Sequence, residues 1–135
     1  DKMKGVDKKL DDIWSLIVKL KANYKCEYCG KPPYIKDSGR KVGNQSHHIF
    51  GRRKKSTRWD LSNGVCLCVS HHTFSSEFSA HQTPTTFSDW IKIHRGEEWY
   101  DDLLLQSNTH FKPTKFEKEE LLNELTMILA ELENK

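Results

Sequence analysis

The sequence of 135 residues lacks any long hydrophobic run. No apolar segment approaches the roughly 18 residues that a membrane-spanning helix needs, so we exclude a membrane span. An apolar leader followed by a small-residue cleavage site is also missing, and we therefore expect a cytoplasmic protein rather than a secreted one. Internal repeats and low-complexity tracts are absent. The composition, with 36% hydrophobic and 30% charged residues, is typical of a globular protein.

The length fits one domain and is too short for two independent hydrophobic cores. We predict that residues 1–135 form a single domain of the α+β class. An N-terminal helix occupies residues 1–25 in this prediction. A compact core follows over 26–80, and a helical extension covers 81–135.

The charges are segregated along the chain. Residues 36–58 carry eight basic side chains and one acidic one, whereas residues 97–135 carry ten acidic and four basic ones. The basic middle segment is either a candidate surface for a polyanion or an ordinary solvated loop, and charge alone does not separate these two interpretations.

Apolar periodicity predicts helices on both sides of this segment. Apolar residues three or four positions apart predict an amphipathic helix over 6–20, and similar spacing predicts helices over 86–95 and 97–105. Thr114 precedes Glu117 by three positions, which is the pattern of a capping box at the start of a C-terminal helix.

The middle of the chain reads as a β-hairpin followed by a helix. We predict strands within 45–50 and 59–65, joined by a basic turn over 51–57. The Asn63-Gly64 pair is a strong turn signal. Few helix breakers follow until Pro84, so we also predict a helix over 69–79.

The cysteines favour a metal site over disulfides, because cytosolic thiols are kept reduced. The pairs Cys26-x2-Cys29 and Cys68-x2-His71 have the spacing of a tetrahedral zinc site. The alternatives are unrelated free cysteines or a redox pair. Cys66 is a rival ligand, but it lacks a partner three residues on, and we interpret it as a small buried residue.

A second set of residues interleaves with the first: His47, His48, Asn63 and His72. We expect the three histidines to face one open pocket that the zinc site holds in place. The alternative for each histidine is an exposed or hydrogen-bonded side chain without a functional role. For His81, His94 and His110 we adopt that alternative, because nothing in their sequence context points to chemistry.

Taken together, these residues resemble the HNH endonuclease superfamily, whose fold is a ββα-metal motif, and its zinc-containing branch in particular. The resemblance covers residues 26–72 and rests on Cys26-x2-Cys29, Ser46-His47-His48, Asn63-Gly64, Cys68 and His71-His72. A weaker resemblance to phage recombination endonucleases of the NinG/Rap type rests on Trp99, Lys112, Thr114 and Lys118, and it implies phage or prophage DNA processing.

The resemblance implies a role for each matching residue. His48 corresponds to the general base that deprotonates the attacking water. His47 and His72 correspond to ligands of a catalytic divalent metal, although many relatives have aspartate at the first position. Asn63 corresponds to the residue that fixes the loop and the base.

Two departures from the family pattern concern the metal ligands. His71 stands where zinc-containing relatives usually have a fourth cysteine. Ser76 stands where relatives with an all-histidine site have a further histidine, so water would complete the coordination there. The implied cofactors are a structural Zn²⁺ and a catalytic Mg²⁺, Mn²⁺, Ni²⁺ or Zn²⁺, since imidazole ligands tolerate several divalent ions.

The basic turn indicates the partner. Arg52, Arg53, Lys54 and Lys55 are expected to bind DNA, mainly through its phosphates, and Arg58 is expected to do the same. Trp59 is interpreted as a core residue, with stacking on a base as the alternative. The sequence leaves the oligomeric state open.

Two functions from different classes are consistent with the sequence. The first is a metal-dependent DNA endonuclease that hydrolyses phosphodiester bonds. The second is a zinc-stapled DNA-binding module without catalysis, which would need the zinc ligands and the basic turn but not His47, His48 and His72.

Overall fold

A computed structural model describes residues 5–135, which form an α+β structure. Residues 1–4, part of the predicted N-terminal segment 1–25, lie outside the described residues. Within 5–135 the structure has no helix with the length and apolar character to cross a membrane. The regular elements, in chain order, are α1 (Val6–Lys21), β1 (Tyr34–Ile35), β2 (Lys41–Val42), β3 (Asn44–His48), β4 (Gly64–Cys68), α2 (Pro84–Arg95), α3 (Glu97–Ser107) and α4 (Lys115–Glu133).

The helices predicted from apolar periodicity are confirmed. Helix α1 buries Leu10, Trp14 and Ile17 on one face, as the spacing of these residues requires. Helix α4 begins with the predicted capping box, in which the Thr114 hydroxyl accepts from the Glu117 N–H at 3.1 Å and the Glu117 carboxylate accepts from the Thr114 N–H at 3.0 Å.

The hydrophobic interior is divided into two clusters rather than the one core expected for this length. One cluster contains Val65, Leu67 and Ile91, and the other contains α1 packed against α4 and Trp59. The small sheet of β3 and β4 lies between them, because Val65 and Leu67 face the first cluster while Gly64 touches α1. The burial of Trp59, which is 4% exposed, confirms its interpretation as a core residue.

The second strand of the predicted hairpin lies later in the chain than expected. Strand β3 pairs antiparallel with β4, and His47 is opposite Val65 in the register. Residues 61–63 form a 3₁₀ helix instead of a strand. The Asp60 carboxylate caps this helix by accepting from the Ser62 N–H at 2.8 Å, so local side-chain bonding replaces strand pairing at this point.

Asn63 closes the long loop 49–63 and is not part of a tight turn. Its side-chain nitrogen donates to the carbonyls of Phe50 at 2.9 Å and Thr57 at 3.0 Å, and its side-chain oxygen accepts from the Phe50 N–H at 2.8 Å. Gly64 then begins β4 with extended dihedral angles. Because Asn63 is fully buried, these bonds hold both ends of the basic loop against each other.

The helix predicted over 69–79 is wrong. The structure has a short π-helical turn, Ser70–Phe74, after which the chain leaves helical conformation at Ser75. The Ser75 hydroxyl accepts from the N–H groups of Glu77 and Phe78, both at 3.2 Å. Side-chain oxygens thus take the donors that a continuing helix would have used. The element expected to complete the ββα motif is therefore only this one turn.

Gly64 offers a sensitive test of the contact between β4 and α1. A Cβ added at Gly64 would lie 2.9 Å from the Trp14 ring and would also overlap Val18. We expect Gly64→Ala to lower the free energy of unfolding by about 1 to 3 kcal/mol through overpacking. Gly51→Ala is the matched control, because a Cβ there meets nothing within 4 Å. Equal urea denaturation midpoints for the two variants would contradict this packing.

Candidate metal centres

The four predicted zinc ligands lie close together in the structure. The loop after α1 supplies Cys26 and Cys29, the end of β4 supplies Cys68, and the π-helical turn supplies His71. Their ligand atoms all lie within 4.8 Å of one another, so the cluster could hold a structural metal ion such as zinc. We call these four residues the thiolate cluster.

The distances within the thiolate cluster suit a tetrahedral ion. Cys29 Sγ lies 3.9 Å from Cys68 Sγ, and Cys68 Sγ lies 3.3 Å from His71 Nδ1. A tetrahedron with zinc–sulfur bonds of about 2.3 Å has ligand separations of about 3.8 Å. A disulfide would need sulfur atoms about 2.05 Å apart, so this separation favours metal coordination over oxidation.

The electrostatics distinguish the ligand Cys26 from Cys66, whereas burial raises the pKa of the ligand Cys29 to about 11. Burial by itself would raise the pKa of Cys26, but hydrogen bonds from the backbone N–H groups of Cys29, Cys68 and Tyr28 outweigh it and lower the pKa, which favours the thiolate. Burial, with the Glu27 carboxylate nearby, raises the pKa of Cys66 to about 12. Cys66 is thus a protonated, fully buried thiol outside the cluster, in line with its interpretation from sequence.

Glu27 links the loop that carries Cys26 and Cys29 to β4 and to α2 through hydrogen bonds. Its carboxylate accepts from the Cys66 N–H at 2.9 Å and from the Arg95 guanidinium at 2.9 and 3.0 Å. Arg95 also donates to the Gly64 carbonyl at 2.8 Å. The thiolate cluster therefore has a supporting shell of charge-assisted hydrogen bonds, which limits the movement of its ligands.

A second group of ligand atoms is formed by His47, His72 and His81, which we call the imidazole cluster. His72 Nε2 lies 3.2 Å from His47 Nδ1 and 3.1 Å from His81 Nε2. Three nitrogens around a zinc-like ion, with bonds of about 2.0 to 2.1 Å, would be about 3.3 Å apart. The same separations suit N–H···N hydrogen bonds, so the cluster is complete either with an ion or without one.

Gln45 orients the central histidine of the imidazole cluster. Its side-chain oxygen lies 2.6 Å from His72 Nδ1, and because that oxygen only accepts, His72 carries its proton on Nδ1. The Nε2 lone pair is then directed at the other two imidazoles. An acceptor that bonds the other ring nitrogen in this way fixes the tautomer of a metal-binding histidine.

Two members of the imidazole cluster, His47 and His72, are neutral at ordinary pH. Burial, reinforced by the neighbouring imidazoles His72, His81 and His48, lowers the pKa of His47 to about 3. Burial and then His81 lower the pKa of His72 to about 4. Neutral imidazoles keep a lone pair available, which is the state that metal coordination requires.

His81 corrects the expected composition of this site. Sequence reasoning gave it no role and expected water in place of a third ligand, since Ser76 was the position considered. The turn after Phe74 brings His81 back, and the His81 N–H donates to the His72 carbonyl at 3.0 Å. His81 comes next to His72 because the chain turns back after Phe74. A continuous helix over 69–79, as predicted from sequence, would not bring the two residues together in this way.

His48 does not join the imidazole cluster, contrary to the expected common pocket. Successive side chains of a strand point to opposite faces, so His47 faces His72 while His48 stacks on Trp14 of α1 with ring centroids 3.8 Å apart. His48 Nε2 donates to the Arg58 carbonyl at 3.0 Å, which leaves Nδ1 as the nitrogen with the lone pair. Burial lowers the pKa of His48, although the bond to Arg58 opposes this effect.

Arg58 is buried and does not offer its charge to a DNA phosphate, which corrects its predicted role. Its guanidinium binds the Asp11 carboxylate of α1 through two bonds, Nε to Oδ1 at 3.1 Å and an Nη atom to Oδ2 at 2.7 Å. The Trp59 Nε1–H also donates to Asp11, at 2.8 Å. Arg58 acts on the site through its carbonyl, which the Asp11 pairing holds against His48.

The four remaining basic residues of the predicted DNA-binding turn are exposed. Arg52 pairs with Asp11 at 3.0 Å and lines a cavity of about 430 Å³ that also contains His48 and Trp14. Lys54 donates to Asn108 at 3.2 Å. Arg53 and Lys55 line a separate cleft, together with Lys54. The prediction that this turn binds DNA phosphates stays a prediction.

The Asp11 contacts predict a pH-dependent contribution to stability. Burial alone would raise the pKa of Asp11, but the hydrogen bonds from Arg58 and Trp59 lower it overall. Its stabilisation is therefore present above the ordinary pKa of 3.8 and is lost as the pH falls through the lowered value in the folded protein. We expect Asp11→Asn to cost about 1 to 3 kcal/mol at pH 7, and the difference from wild type should vanish in strong acid.

The matched control for this prediction is Asp12→Asn, because Asp12 is exposed and pairs only with Lys8 among the bonds that the structure describes for it. The comparison uses urea unfolding at pH 7 and at lower pH. All three proteins share the thiolate cluster, so its own acid sensitivity cancels. Equal stabilities of the two variants at pH 7 would contradict the role of Asp11.

Comparisons with known proteins add no relative: no family model, curated protein or solved structure matches this chain.

Proposed function

We propose that this protein is a metal-dependent DNA endonuclease of the HNH type, which hydrolyses phosphodiester bonds in phage or prophage DNA processing or recombination. The observation that carries the proposal is the pair of adjacent clusters. His71 belongs to the thiolate cluster and His72, the next residue, belongs to the imidazole cluster. The thiolate cluster is closed and makes the chain rigid next to the more open imidazole cluster. A reactive group requires such a rigid support to be held in position.

The residues of the imidazole cluster fit a divalent ion. The ligand atoms of His47, His72 and His81 lie at metal-like separations, His47 and His72 are neutral, and Gln45 orients the central histidine. His81 is exposed, so the cluster is accessible from solvent. A divalent ion held there would relieve charge on a phosphate oxygen and on the leaving oxygen. Mg²⁺, Mn²⁺, Ni²⁺ and Zn²⁺ are all candidates.

His48 is the proposed general base. It follows His47 directly, so their Cα atoms are about 3.8 Å apart, and its imidazole is near enough to influence the pKa of His47. The Arg58 carbonyl fixes the proton on Nε2, and Nδ1 is then free to accept a proton from water. Trp14 limits rotation of the ring by stacking on it.

The exposed cations Arg52, Arg53, Lys54 and Lys55 are proposed to bind DNA phosphates around this site. They lie in the loop that connects His48 with β4, which Asn63 holds closed. Such contacts contribute affinity that falls with salt and is largely independent of sequence.

A non-catalytic zinc-stapled DNA-binding module is the second candidate. The position of His48 favours it, because the ring stacks on Trp14 instead of facing the imidazole cluster. In that case the three imidazoles would be a hydrogen-bonded group that serves only stability. The thiolate cluster and the basic loop would have the same roles in both candidates.

Nicking of a supercoiled plasmid tests the proposal. We expect wild type to nick DNA when Mn²⁺ or Ni²⁺ is added, and His81→Ala to need about 10 to 100 times more metal for the same rate while it retains its zinc. His94→Ala is the control, because His94 is exposed on α2 and outside both clusters. Absence of nicking by wild type with every candidate ion would favour the binding module instead.

A further inference from the structure

A cationic cleft is formed in part by the basic loop that follows His48 in the chain. It has a volume of about 400 Å³ and opens between loop 49–63 and the connection from α3 to α4. None of the described residues that line it is Asp or Glu. Its chemically active lining consists of Arg53, Lys54, Lys55, His110, Phe111 and Lys112. We call this feature the basic cleft.

Hydrogen bonds fix the two walls of the basic cleft relative to each other. The Ser56 hydroxyl donates to the Gln106 carbonyl at 2.7 Å, and the Gln106 side-chain nitrogen donates to the Ser56 carbonyl at 3.1 Å. Lys54 donates to Asn108 at 3.2 Å. These bonds join segments about fifty positions apart in the chain, so the two walls of the cleft are held against each other by the fold.

Phe111 gives the basic cleft a second kind of contact. Its ring is 44% exposed among cationic side chains. An exposed aromatic ring beside a row of cations matches single-stranded nucleic acid, which offers unstacked bases to the ring and phosphates to the cations. A duplex keeps its bases stacked inside and would leave the ring without a partner.

The basic cleft and the cavity that contains His48 are lined by consecutive residues of the chain. Arg52 lines that cavity and Arg53, the next residue, lines the basic cleft. A strand bound across both would therefore need only a few nucleotides between them. The cleft has four cations and no acidic side chain among the described residues that line it, so it attracts a polyanion.

We propose that the basic cleft binds a single-stranded DNA segment that flanks the cleaved phosphate, with phosphates on Arg53, Lys55 and Lys112 and a base stacked on Phe111. The proposal rests on the proposed function in placing the cleavage site beside the cleft. It specifies the substrate class as DNA with a single-stranded portion, in place of a fully paired duplex.

The test measures binding without cleavage. Fluorescence anisotropy gives the affinity of the full chain for a labelled oligo(dT) of about 12 nucleotides and for a blunt duplex of the same length. No divalent ion is added. The variant Phe111→Ala/Lys112→Ala is compared with Tyr34→Ala/Lys36→Ala, a matched control with an exposed aromatic residue and lysine on the β1–β2 hairpin.

We expect the Phe111/Lys112 variant to bind oligo(dT) about tenfold or more weakly, with a duplex affinity changed less than about threefold. Its salt slope for oligo(dT) should fall by about 0.7, which corresponds to one lost phosphate contact. Phe111→Trp should retain the wild-type affinity. Phe111→Leu, which keeps an apolar side chain but not the ring, should lose affinity, and it carries the test if the double variant does not fold.

The proposal is overturned if the Phe111/Lys112 variant behaves like the control, or if its duplex affinity falls as much as its oligo(dT) affinity. The second outcome would assign the cleft to duplex phosphates. Because no divalent ion is added for catalysis, the binding result does not depend on the result of the nicking assay. If wild type does not nick DNA but binds oligo(dT) through Phe111 and Lys112, the proposed function is wrong and the proposal for the basic cleft still holds.

Discussion

Replacing Cys68 with alanine should abolish zinc binding and the cooperative unfolding transition together. Cys68 contributes a sulfur that lies 3.9 Å from Cys29 Sγ and 3.3 Å from His71 Nδ1, so its loss leaves three ligands where a structural zinc site has four. Structural zinc contributes folding free energy directly, about 10 to 16 kcal/mol in isolated zinc-finger peptides. That range exceeds the total stability of most domains of this size.

The chain offers a close control in Cys66→Ala. Cys66 lies two residues earlier on β4 and is fully buried, but it is outside the thiolate cluster. We expect this variant to retain one zinc per chain and to lose at most about 2 kcal/mol through the small cavity it leaves. Mass spectrometry under native conditions and thermal unfolding give both readouts. A zinc-free Cys66→Ala protein, or a stable zinc-bound Cys68→Ala protein, would contradict the assignment of ligands.

His48→Ala should lower the rate of DNA nicking by about 10² to 10⁴-fold, the usual contribution of a general base. The expectation follows from the bond between His48 Nε2 and the Arg58 carbonyl, which leaves Nδ1 able to accept a proton. KM for the plasmid should change little, because phosphate binding is assigned to the basic loop. The zinc content and the thermal unfolding midpoint separate this effect from misfolding.

A positioning effect can be separated from the loss of the base itself. Asp11→Asn weakens the pairing that holds the Arg58 backbone against His48, and the His48 imidazole remains present. We expect this variant to lose less activity than His48→Ala. Unchanged nicking by His48→Ala would show that the ring stacked on Trp14 takes no part in the chemistry, and a different group would then have to act as the base.

The thiolate cluster could be predicted from sequence because its information is local. Two ligand pairs with a two-residue gap reach a common ion whatever the path of the chain between them. The same holds for the start of α4, where the capping box is contained within Thr114–Glu117. These features depend on short spacings that folding does not alter.

The imidazole cluster could be predicted only in part, because it depends on the path of the chain after β4. His47 and His72 were predicted to lie together, and they do so. His81 was missed since hydroxyl groups, notably that of Ser75, bend the segment back where the scarcity of helix breakers alone favours a helix. Ser and Thr enrichment over 75–83 was the available signal.

Long-range pairing explains the other corrections. Arg58 reads as a member of the basic turn, and nothing near it in sequence indicates that Asp11, 47 positions earlier, neutralises it. The division of His47 and His48 between two faces follows from strand geometry, but it requires knowing that β3 extends through both residues. The charge and the apolar periodicity of the sequence describe single segments of the chain. The contacts of Arg58, His47 and His48 depend instead on how different segments pack against one another.

The most direct measurement locates the divalent ion in the folded protein. Crystals of the zinc-loaded protein soaked in Mn²⁺ would give anomalous difference density at the manganese position. The proposed site requires a zinc peak enclosed by Cys26, Cys29, Cys68 and His71, and a separate manganese peak bounded by His47, His72 and His81. Manganese density elsewhere, or three imidazoles that remain hydrogen-bonded to one another in excess Mn²⁺, would contradict it.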